Sequence, residues 1–169
     1  MKIRLIFALL VFAISAPALG QEQEIDIDSL IADLTSGNSS VRMGAAQALG
    51  ESGDERTLDP LIEALGDEEA MVRIAAGDGL SFLASNGIAS GRAVEPLVQA
   101  LNDQDANVRV NVAEALGDIK DPRAVDPLVY ALNNDEDWGV RDQSVGSLGL
   151  IGDPRAIEPL IMALQDESE

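Results

Sequence analysis

Carboxylates are the only side chains in this sequence that are numerous enough to suggest metal binding or acid–base catalysis. The 169 residues include 30 Asp and Glu against 11 Lys and Arg, a net charge of −19, with no His and no Cys. Disulfides, thiolate metal sites, cysteine nucleophiles and the commonest general base are therefore excluded. The acidity also disfavours nucleic acid as a partner, because phosphate backbones are bound by clustered cations.

Two acidic segments, residues 103–105 and 133–137, have alternating oxygen atoms that could suit Ca²⁺. A standard calcium loop needs Gly at its sixth position and Glu at its twelfth, where counting from Asn133 gives Trp138 and Ser144. We therefore favour helix caps and ion pairs as the role of these acids, with weak Ca²⁺ binding as the alternative. No carboxylate pair, phosphate loop or nucleophile elbow stands out, so we predict no catalytic, cofactor-binding or metal-binding residue.

Residues 1–20 have the pattern of a signal peptide. Lys2 and Arg4 precede the apolar residues 5–14, and small residues favour cleavage before Gln21, with cleavage after Ala18 as the alternative. An uncleaved membrane anchor is the other interpretation, but a membrane span needs ~20 apolar residues. We predict an exported protein (secreted, periplasmic or at the cell surface) whose mature chain has 9 cationic and 30 acidic residues.

The rest of the chain repeats one unit about four and a half times. Acid-Pro-Leu phrases begin at Asp59, Glu95, Asp126 and Glu158, and Asp28 begins a degenerate first copy. Each full copy continues with an Ala-Leu pair, a polar turn and a Val-Arg pair. After a lead-in at residues 21–27, we predict a single domain over residues 28–167. Its repeats are 28–58, 59–94, 95–125 and 126–157, with a half repeat at 158–167.

Apolar spacing predicts two helices in each copy. Val108, Val112 and Leu116, for example, fall on one face of a second helix. Candidate N-caps lie three residues before each Val, at Asn38, Glu69, Asp105 and Asp137. Prolines within the first helices are expected to kink them. The fold class is therefore all-α, a solenoid of about nine helices.

Residues 108–119 and 117–132 resemble the HEAT-like repeats of the phycobilisome-lyase type, and the resemblance covers about residues 25–167. It implies a right-handed superhelix of helical hairpins. It also implies a ladder along the stack, formed by a turn aspartate and an arginine six residues later. Matching positions are Asp67 and Arg73, Asp103 and Arg109, and Asp135 and Arg141, whereas Ser36 stands opposite Arg42.

Two enzyme types resemble this repeat architecture. Deoxyhypusine hydroxylase holds a di-iron centre with His-Glu motifs, and this chain has no His. Phycobilin lyases handle a chromophore but are longer, heteromeric proteins. We therefore predict a non-catalytic scaffold that binds another protein, without a cofactor. The alternatives are an accessory enzyme of the lyase or hydroxylase kind, and a structural protein that self-associates through its C-terminal half repeat.

The resemblance implies that second helices line the concave face. Its candidate binding residues are Met43, Gln47, Ile74, Asp78, Val110, Asn111, Glu114, Asp142 and Gln143. An apolar strip bordered by acids suits a protein or peptide that is apolar in the middle and basic at its edges. The alternative is that neighbouring helices half cover these side chains. Trp138 stands where other copies have Ser or Ala, and either anchors a partner or packs beside the preceding turn.

Overall fold

The computed structural model describes residues 26–88 and 91–166, where all regular structure is helical. The described part of the chain contains nine α-helices and three short 3-10 turns, and none of its helices has the length and hydrophobicity of a membrane span. The all-α prediction is confirmed. The predicted signal peptide, residues 1–20, lies outside the described residues. The helices are α1 (Ile27–Asp33), α2 (Ser39–Ser52), α3 (Leu58–Ala64), α4 (Ala70–Ser85), α5 (Val94–Ala100), α6 (Ala106–Ile119), α7 (Val125–Asn134), α8 (Trp138–Ile151) and α9 (Ile157–Asp166).

The second helices α2, α4, α6 and α8 begin at the predicted caps. The side chains of Asn38, Asp105 and Asp137 each accept a hydrogen bond from the backbone N–H two residues later, at 2.8–2.9 Å. Glu69 holds the same position before α4, but its side chain makes no capping hydrogen bond. The caps satisfy N–H groups that have no partner within the helix, so the turn sequence determines where these helices start.

The second helices α2, α6 and α8 each end in a residue with left-handed backbone conformation. Gly53 and Gly152 take this position after α2 and α8, with φ of 62° and 69°, whereas Lys120 takes it after α6 with φ of 56°. A side chain makes this conformation costly by roughly 1–2 kcal/mol, because the Cβ approaches the following carbonyl oxygen.

We predict that Lys120→Gly raises the free energy of unfolding by about 1 kcal/mol, because glycine adopts this conformation without the clash. Urea denaturation measures the change. Lys120→Ala is the matched control, since it removes the charge and keeps the Cβ, and it should change stability by less than about 0.5 kcal/mol. Equal effects of the two substitutions would contradict the conformational explanation.

The prolines of the first helices do not lie where a kink would be expected. Pro60, Pro96, Pro127 and Pro159 are each the third residue of α3, α5, α7 and α9. The first turn of a helix has N–H groups without an intrahelical acceptor, so proline removes no hydrogen bond there. Before α3, α7 and α9, a 3-10 turn changes to α-helix at the residue two before the proline. The prediction that these prolines lie further into the helices was wrong, because all four lie in the first turn.

One continuous core runs through the stack between the first and second helices. Leu49, Leu80, Leu116 and Leu148, one from each second helix, are completely or almost completely buried. Consecutive second helices pack against one another far more extensively than consecutive first helices do. The stack is therefore narrower on the side of the second helices, which makes that side concave.

Small residues allow the second helices to approach closely. Gly50 of α2 lies against the backbone of Gly79 in α4, and Gly117 of α6 lies against Ser147 of α8. A Cβ added to Gly117 would stand 2.7–2.9 Å from the Oγ, Cβ and Cα atoms of Ser147. Ser147 is itself fixed, because its hydroxyl donates to the carbonyl of Ala113 at 2.7 Å. These residues set the spacing of the helices that form the concave side.

Candidate functional site

The candidate site is the solvent-facing surface of α2, α4, α6 and α8, called here the inner face. The binding residues predicted from the sequence differ in how far their side chains are exposed to solvent. Those that are exposed are Gln47, Asp78, Glu114 and Asp142, and those that are half-buried are Met43, Ile74, Val110, Asn111 and Gln143. Met43 and Ile74 also pack against the core. The apolar strip read from the sequence is thus partly covered, and its acidic border is open to solvent.

Four exposed apolar residues on the second helices were missed by the sequence analysis: Val41, Met71, Phe82 and Leu150. Met71 and Phe82 of α4 are 60% and 45% exposed, and Leu150 of α8 is 49% exposed. Met71 lies seven residues before Asp78 and Phe82 four residues after it, so all three share one helix face. Met71 stands where the other copies have Ser40, Asn107 and Gly139, whereas Phe82 and Leu150 share one repeat position, at which the first and third copies have Glu51 and Asp118.

Trp138 is the most exposed residue of this group, with 71% of its surface accessible. It is the first residue of α8 and lies one helical turn before Asp142. Both residues line a cavity whose remaining walls include Leu132, Val145 and Ala163.

Hydrogen bonds between α4 and α6 stiffen the middle of the inner face. The Asn111 amide donates to the carboxylate of Asp78, and the Ser81 hydroxyl donates to the carboxylate of Asp118. Asp78 therefore already has a partner within the protein, whereas the carboxylates of Glu114 and Asp142 make no hydrogen bond or ion pair to other described residues.

A ladder of arginine and aspartate, called here the turn ladder, joins successive repeats. The Arg73 guanidinium donates from Nε at 2.7 Å and from Nη2 at 2.8 Å to the two carboxylate oxygens of Asp103. Both side chains are nearly buried, with 7% and 10% of their surface accessible. The same forked pairing joins Arg42 to Asp67 and Arg109 to Asp135. Each arginine thus pairs with the aspartate of the following repeat.

Each ladder arginine also contacts its own turn, through a backbone carbonyl. Arg73 donates from Nη1 to the carbonyl of Asp67 at 2.8 Å, and Arg42 donates likewise to Ser36. A residue of any type at this position of the turn can supply the backbone carbonyl. The aspartate side chain is needed only to bind the arginine of the preceding repeat. Within the described residues no earlier second helix directs an arginine at Ser36, which explains why this turn works without aspartate.

The turn ladder lowers the pKa of its carboxyl groups. Hydrogen bonds from Arg42 and Arg109 hold the pKa values of Asp67 and Asp135 below the ordinary 3.8. Burial alone would raise the pKa of Asp103, but hydrogen bonds from Arg73 and from the Asp105 N–H outweigh it and the pKa is lowered.

We predict that the free energy of unfolding falls when the pH is lowered through the pKa values of these carboxyl groups. A carboxyl group with a lowered folded-state pKa contributes stability above its unfolded pKa, near 3.8, and loses it as pH falls through the folded value. The urea midpoint should therefore stay nearly constant from pH 7 to roughly 5 and drop steeply below roughly 4. Measurement in 0.5 M NaCl screens repulsion among exposed acids, and a midpoint that rises down to pH 3 would contradict the prediction.

Apart from Arg141 of α8, the remaining arginines form a second, more exposed series along the first helices. Arg56, Arg123 and Arg155 each pair with an aspartate two residues earlier, at 2.7–3.0 Å, and each also reaches an acid of the preceding first helix at 3.2–3.8 Å. Arg92 pairs with Asp59 of the preceding first helix. Arg141 donates to the backbone carbonyls of Asp135 and Glu136 at 2.8 and 3.1 Å. Every arginine in the described part of the chain except Arg141 thus pairs with a carboxylate of the scaffold.

The acidic turns are also occupied by scaffold interactions. Asp105 and Asp137 cap helices, while Asp103 and Asp135 accept from arginines. No group of three or more acidic side chains that could hold a metal ion is found among the described residues.

Comparison with known proteins agrees with this architecture. The family model for HEAT repeats matches residues 27–89 and 94–169. The complex of CpcE and CpcF of phycocyanin lyase from Nostoc sp. PCC7120 is 25% identical, with a TM-score of 0.71; the match covers 93% of this chain and 64% of that chain. No curated protein matches. The resemblance to HEAT-like repeats of the phycobilisome-lyase type is thereby confirmed.

Designed proteins share the fold as well. An engineered protein is 26% identical with a TM-score of 0.61, over 82% of this chain and 68% of that chain. A designed armadillo repeat protein in complex with peptide (KR)4 is 21% identical with a TM-score of 0.60, over 82% and 70%, and this likeness concerns the fold alone. With its paired helices, its turn ladder and a family match over most of its length, the chain belongs to the HEAT repeat family.

Proposed function

We propose that this chain is a non-catalytic, exported scaffold that binds another protein through the inner face. The observation that carries the proposal is the exposure of Met71 and Phe82 on α4, at positions where neighbouring copies have polar residues. Large apolar side chains exposed together on one helix face mark interaction surfaces more often than polar ones do. Leu150 and Trp138 of α8 are exposed as well, and the polar Asn107 and Asp118 of α6 stand between them and α4.

The charge of the inner face favours a partner with basic and apolar side chains. Glu51, Glu114 and Asp142 are exposed there, and their carboxylates make no hydrogen bond or ion pair to other described residues. Arg42, Arg73 and Arg109 of these helices are held in the turn ladder, and Arg141 of α8 donates to the backbone carbonyls of its own turn. Association should therefore be faster at low salt than at high salt, because opposite charges steer the encounter.

Two of the similar structures support a polypeptide partner. The designed armadillo repeat protein was solved with the peptide (KR)4, which is basic, and CpcE and CpcF form a complex with each other. The lyase function of that complex makes chromophore attachment the rival activity for this chain. We favour binding without catalysis, because the sequence lacks His and Cys, and seven of its eight described arginines pair with scaffold carboxylates.

Affinity capture from exported and envelope proteins of the source organism tests the proposal. Mature residues 21–169 serve as bait, next to the variant Met71→Ser/Phe82→Asp. Each substitution copies the residue of another repeat, Ser40 and Asp118, so the variant should keep the fold, which circular dichroism checks. We expect a protein that the parent retains and the variant loses.

Tyr130→Gln/Met162→Gln is the matched control. It removes two large exposed residues of the first helices and copies Gln99 at both places. The control should capture the same protein as the parent. Loss by the control with retention by Met71→Ser/Phe82→Asp would place binding on the first helices and reject the inner face. Visible absorbance of a chromophore retained by the bait would instead favour the lyase-type alternative.

A further inference from the structure

Arg141 of α8 matches the arginines of the turn ladder, but among the described residues it has no carboxylate partner. Its Nη1 donates to the carbonyls of Asp135 and Glu136 at 2.8 and 3.1 Å. Nη1 of Arg73 holds its own turn at the same two distances, and this anchoring directs Nε and Nη2 at Asp103 of the following repeat. Arg141 is therefore a preformed fork for a carboxylate, because a planar guanidinium binds a carboxylate through two parallel hydrogen bonds.

The same side of α8 keeps the other features with which α6 receives a following second helix. Arg141, Val145 and Gly149 are spaced four residues apart, so they lie on one side of α8. Gly149 matches Gly117, at which α6 admits Ser147, but no described atom lies within 4 Å of a Cβ added to Gly149. Val145 is half-buried, whereas the matching residues of α2 and α6 are completely buried. This side of α8 is thus open where α2, α4 and α6 are each covered by the next second helix.

Helix α9 exposes the apolar face that α3, α5 and α7 bury. Ile157 and Leu164 are 58% and 71% exposed. The second helices α4, α6 and α8 cover α3, α5 and α7, and among the described residues none covers α9 in this way. Together with the open side of α8, this face forms what is called here the α8–α9 surface. The residues of α3, α5 and α7 that match Ile157 and Leu164 are at most 8% exposed: Leu58, Val94, Val125, Leu65, Leu101 and Leu132.

We infer that the α8–α9 surface binds an amphipathic helix of a partner protein, in the position that α8 takes beside α6 and α7. The packing of α8 specifies the chemistry of this occupant. Asp135 binds the ladder arginine of α6 and stands twelve residues before Ser147, which meets the glycine of α6. The occupant accordingly has an acidic residue for Arg141, a small residue for Gly149 at the same separation, and an apolar stripe between them that faces α9.

The open fork distinguishes this occupant from a second copy of the chain. A second copy stacked through its first repeat would present Ser36 where the other repeats have the ladder aspartate, and the net charge of −19 repels like chains. Within the chain itself, Asp166 has the spacing of a ladder aspartate from Glu158. However, α9 remains helical through Asp166, whereas the ladder aspartates follow the ends of α3, α5 and α7. An acidic residue of a partner is therefore the carboxylate that fits the fork.

A peptide with the sequence of residues 103–119, acetylated and amidated at its ends, serves as the probe. It contains the turn before α6 and α6 itself, so an acidic residue, Asp103, precedes the small Ala115 by twelve positions. Trp138 is the only tryptophan of the chain and lines the same cavity as Arg141, so its fluorescence reports on binding. We expect a saturable change in Trp138 emission in 0.5 M NaCl, which screens repulsion between the two acidic molecules.

A double-mutant cycle tests the contact between the fork and the carboxylate. The Asp103→Asn peptide should bind about fivefold more weakly than the parent peptide, which corresponds to the loss of one charge pair. Arg141→Gln in the protein should weaken binding of the parent peptide equally and abolish the difference between the two peptides, because each change removes the same contact. Circular dichroism checks that the protein variant keeps its fold.

Gly149→Ala tests the helix packing through opposite effects on stability and binding. The added Cβ should weaken peptide binding at least about fivefold, because it takes the space of the incoming helix, although the substitution is expected to stabilise the free protein. Gly146→Ala is the matched control in α8. Its counterparts Gln47, Asp78 and Glu114 stay exposed in repeats that have a following second helix, so it should alter the affinity less than twofold.

No saturable binding of the parent peptide, or equal affinity of the two peptides for the parent protein, would overturn the inference. A loss of affinity on Asp166→Asn equal to that on Arg141→Gln would assign the carboxylate to the chain itself. A dimer in sedimentation that Arg141→Gln dissociates would assign the surface to a second copy, and either result rejects the acidic helix of a partner. Met71→Ser/Phe82→Asp should bind the peptide unchanged, because both residues lie on α4, so this test is independent of the proposed function.

Discussion

Replacing Asp103 by alanine is expected to lower the free energy of unfolding by about 3 kcal/mol, the effect of breaking a buried ion pair on one side. The Asp103 carboxylate accepts two hydrogen bonds from Arg73 and one, at 2.8 Å, from the backbone N–H of Asp105. The substitution leaves the guanidinium nearly buried without its counter-charge and removes the link between the second and third repeats. Urea denaturation followed by circular dichroism measures the loss.

Asp126→Ala provides the matched control for this prediction. Asp126 pairs with Arg155 at 3.2 Å, but its side chain is 79% exposed, and exposed pairs contribute less than about 1 kcal/mol. A loss with Asp103→Ala no larger than that with Asp126→Ala would show that the turn ladder does not hold the repeats together.

Gly117→Ala is expected to destabilise the protein by about 1–3 kcal/mol, although alanine normally favours a helix. The added Cβ would stand 2.9 Å from the Cα of Ser147, which is backbone and cannot turn away as a side chain would. Helices α6 and α8 must separate to admit it, and the buried contacts on both sides of them weaken.

Gly149→Ala is the matched control, because it makes the same substitution at a position with no contact to a neighbouring helix. Gly149 holds the position in α8 that Gly117 holds in α6, and no described atom lies within 4 Å of a Cβ added there. It should stabilise the protein by about 0.5–1 kcal/mol, the ordinary gain of alanine over glycine in a helix. Effects of the same sign at both positions would contradict the argument that Gly117 sets the helix spacing.

Local features of the fold were predictable because their residues recur in each copy of the repeat. The caps Asn38, Asp105 and Asp137 and the buried leucines recur at fixed offsets, so each copy supports the assignment of the others. The prolines were misplaced because the 3-10 turns before α3, α7 and α9 resemble the start of a longer helix, and only the hydrogen bonds distinguish the two.

Contacts between repeats were harder to predict. The sequence placed Asp67 beside Arg73 in one turn, but the carboxylate that Arg73 binds belongs to Asp103, thirty residues on. The sequence also predicted Ile74 as a binding residue, but neighbouring helices half cover its side chain. Met71 and Phe82, which were not predicted, are exposed. Exposure depends on the angle at which helices pack, and no single copy of the repeat encodes that angle.

Site-specific photo-crosslinking tests the central claim that the inner face binds the partner. Phe82 on α4 and Tyr130 on α7 are both exposed aromatic residues, and each can be replaced in turn by p-benzoylphenylalanine. After capture and irradiation, we predict a covalent adduct with the partner from position 82 and none from position 130. An adduct from position 130 alone, or equal adducts from both, would contradict the account.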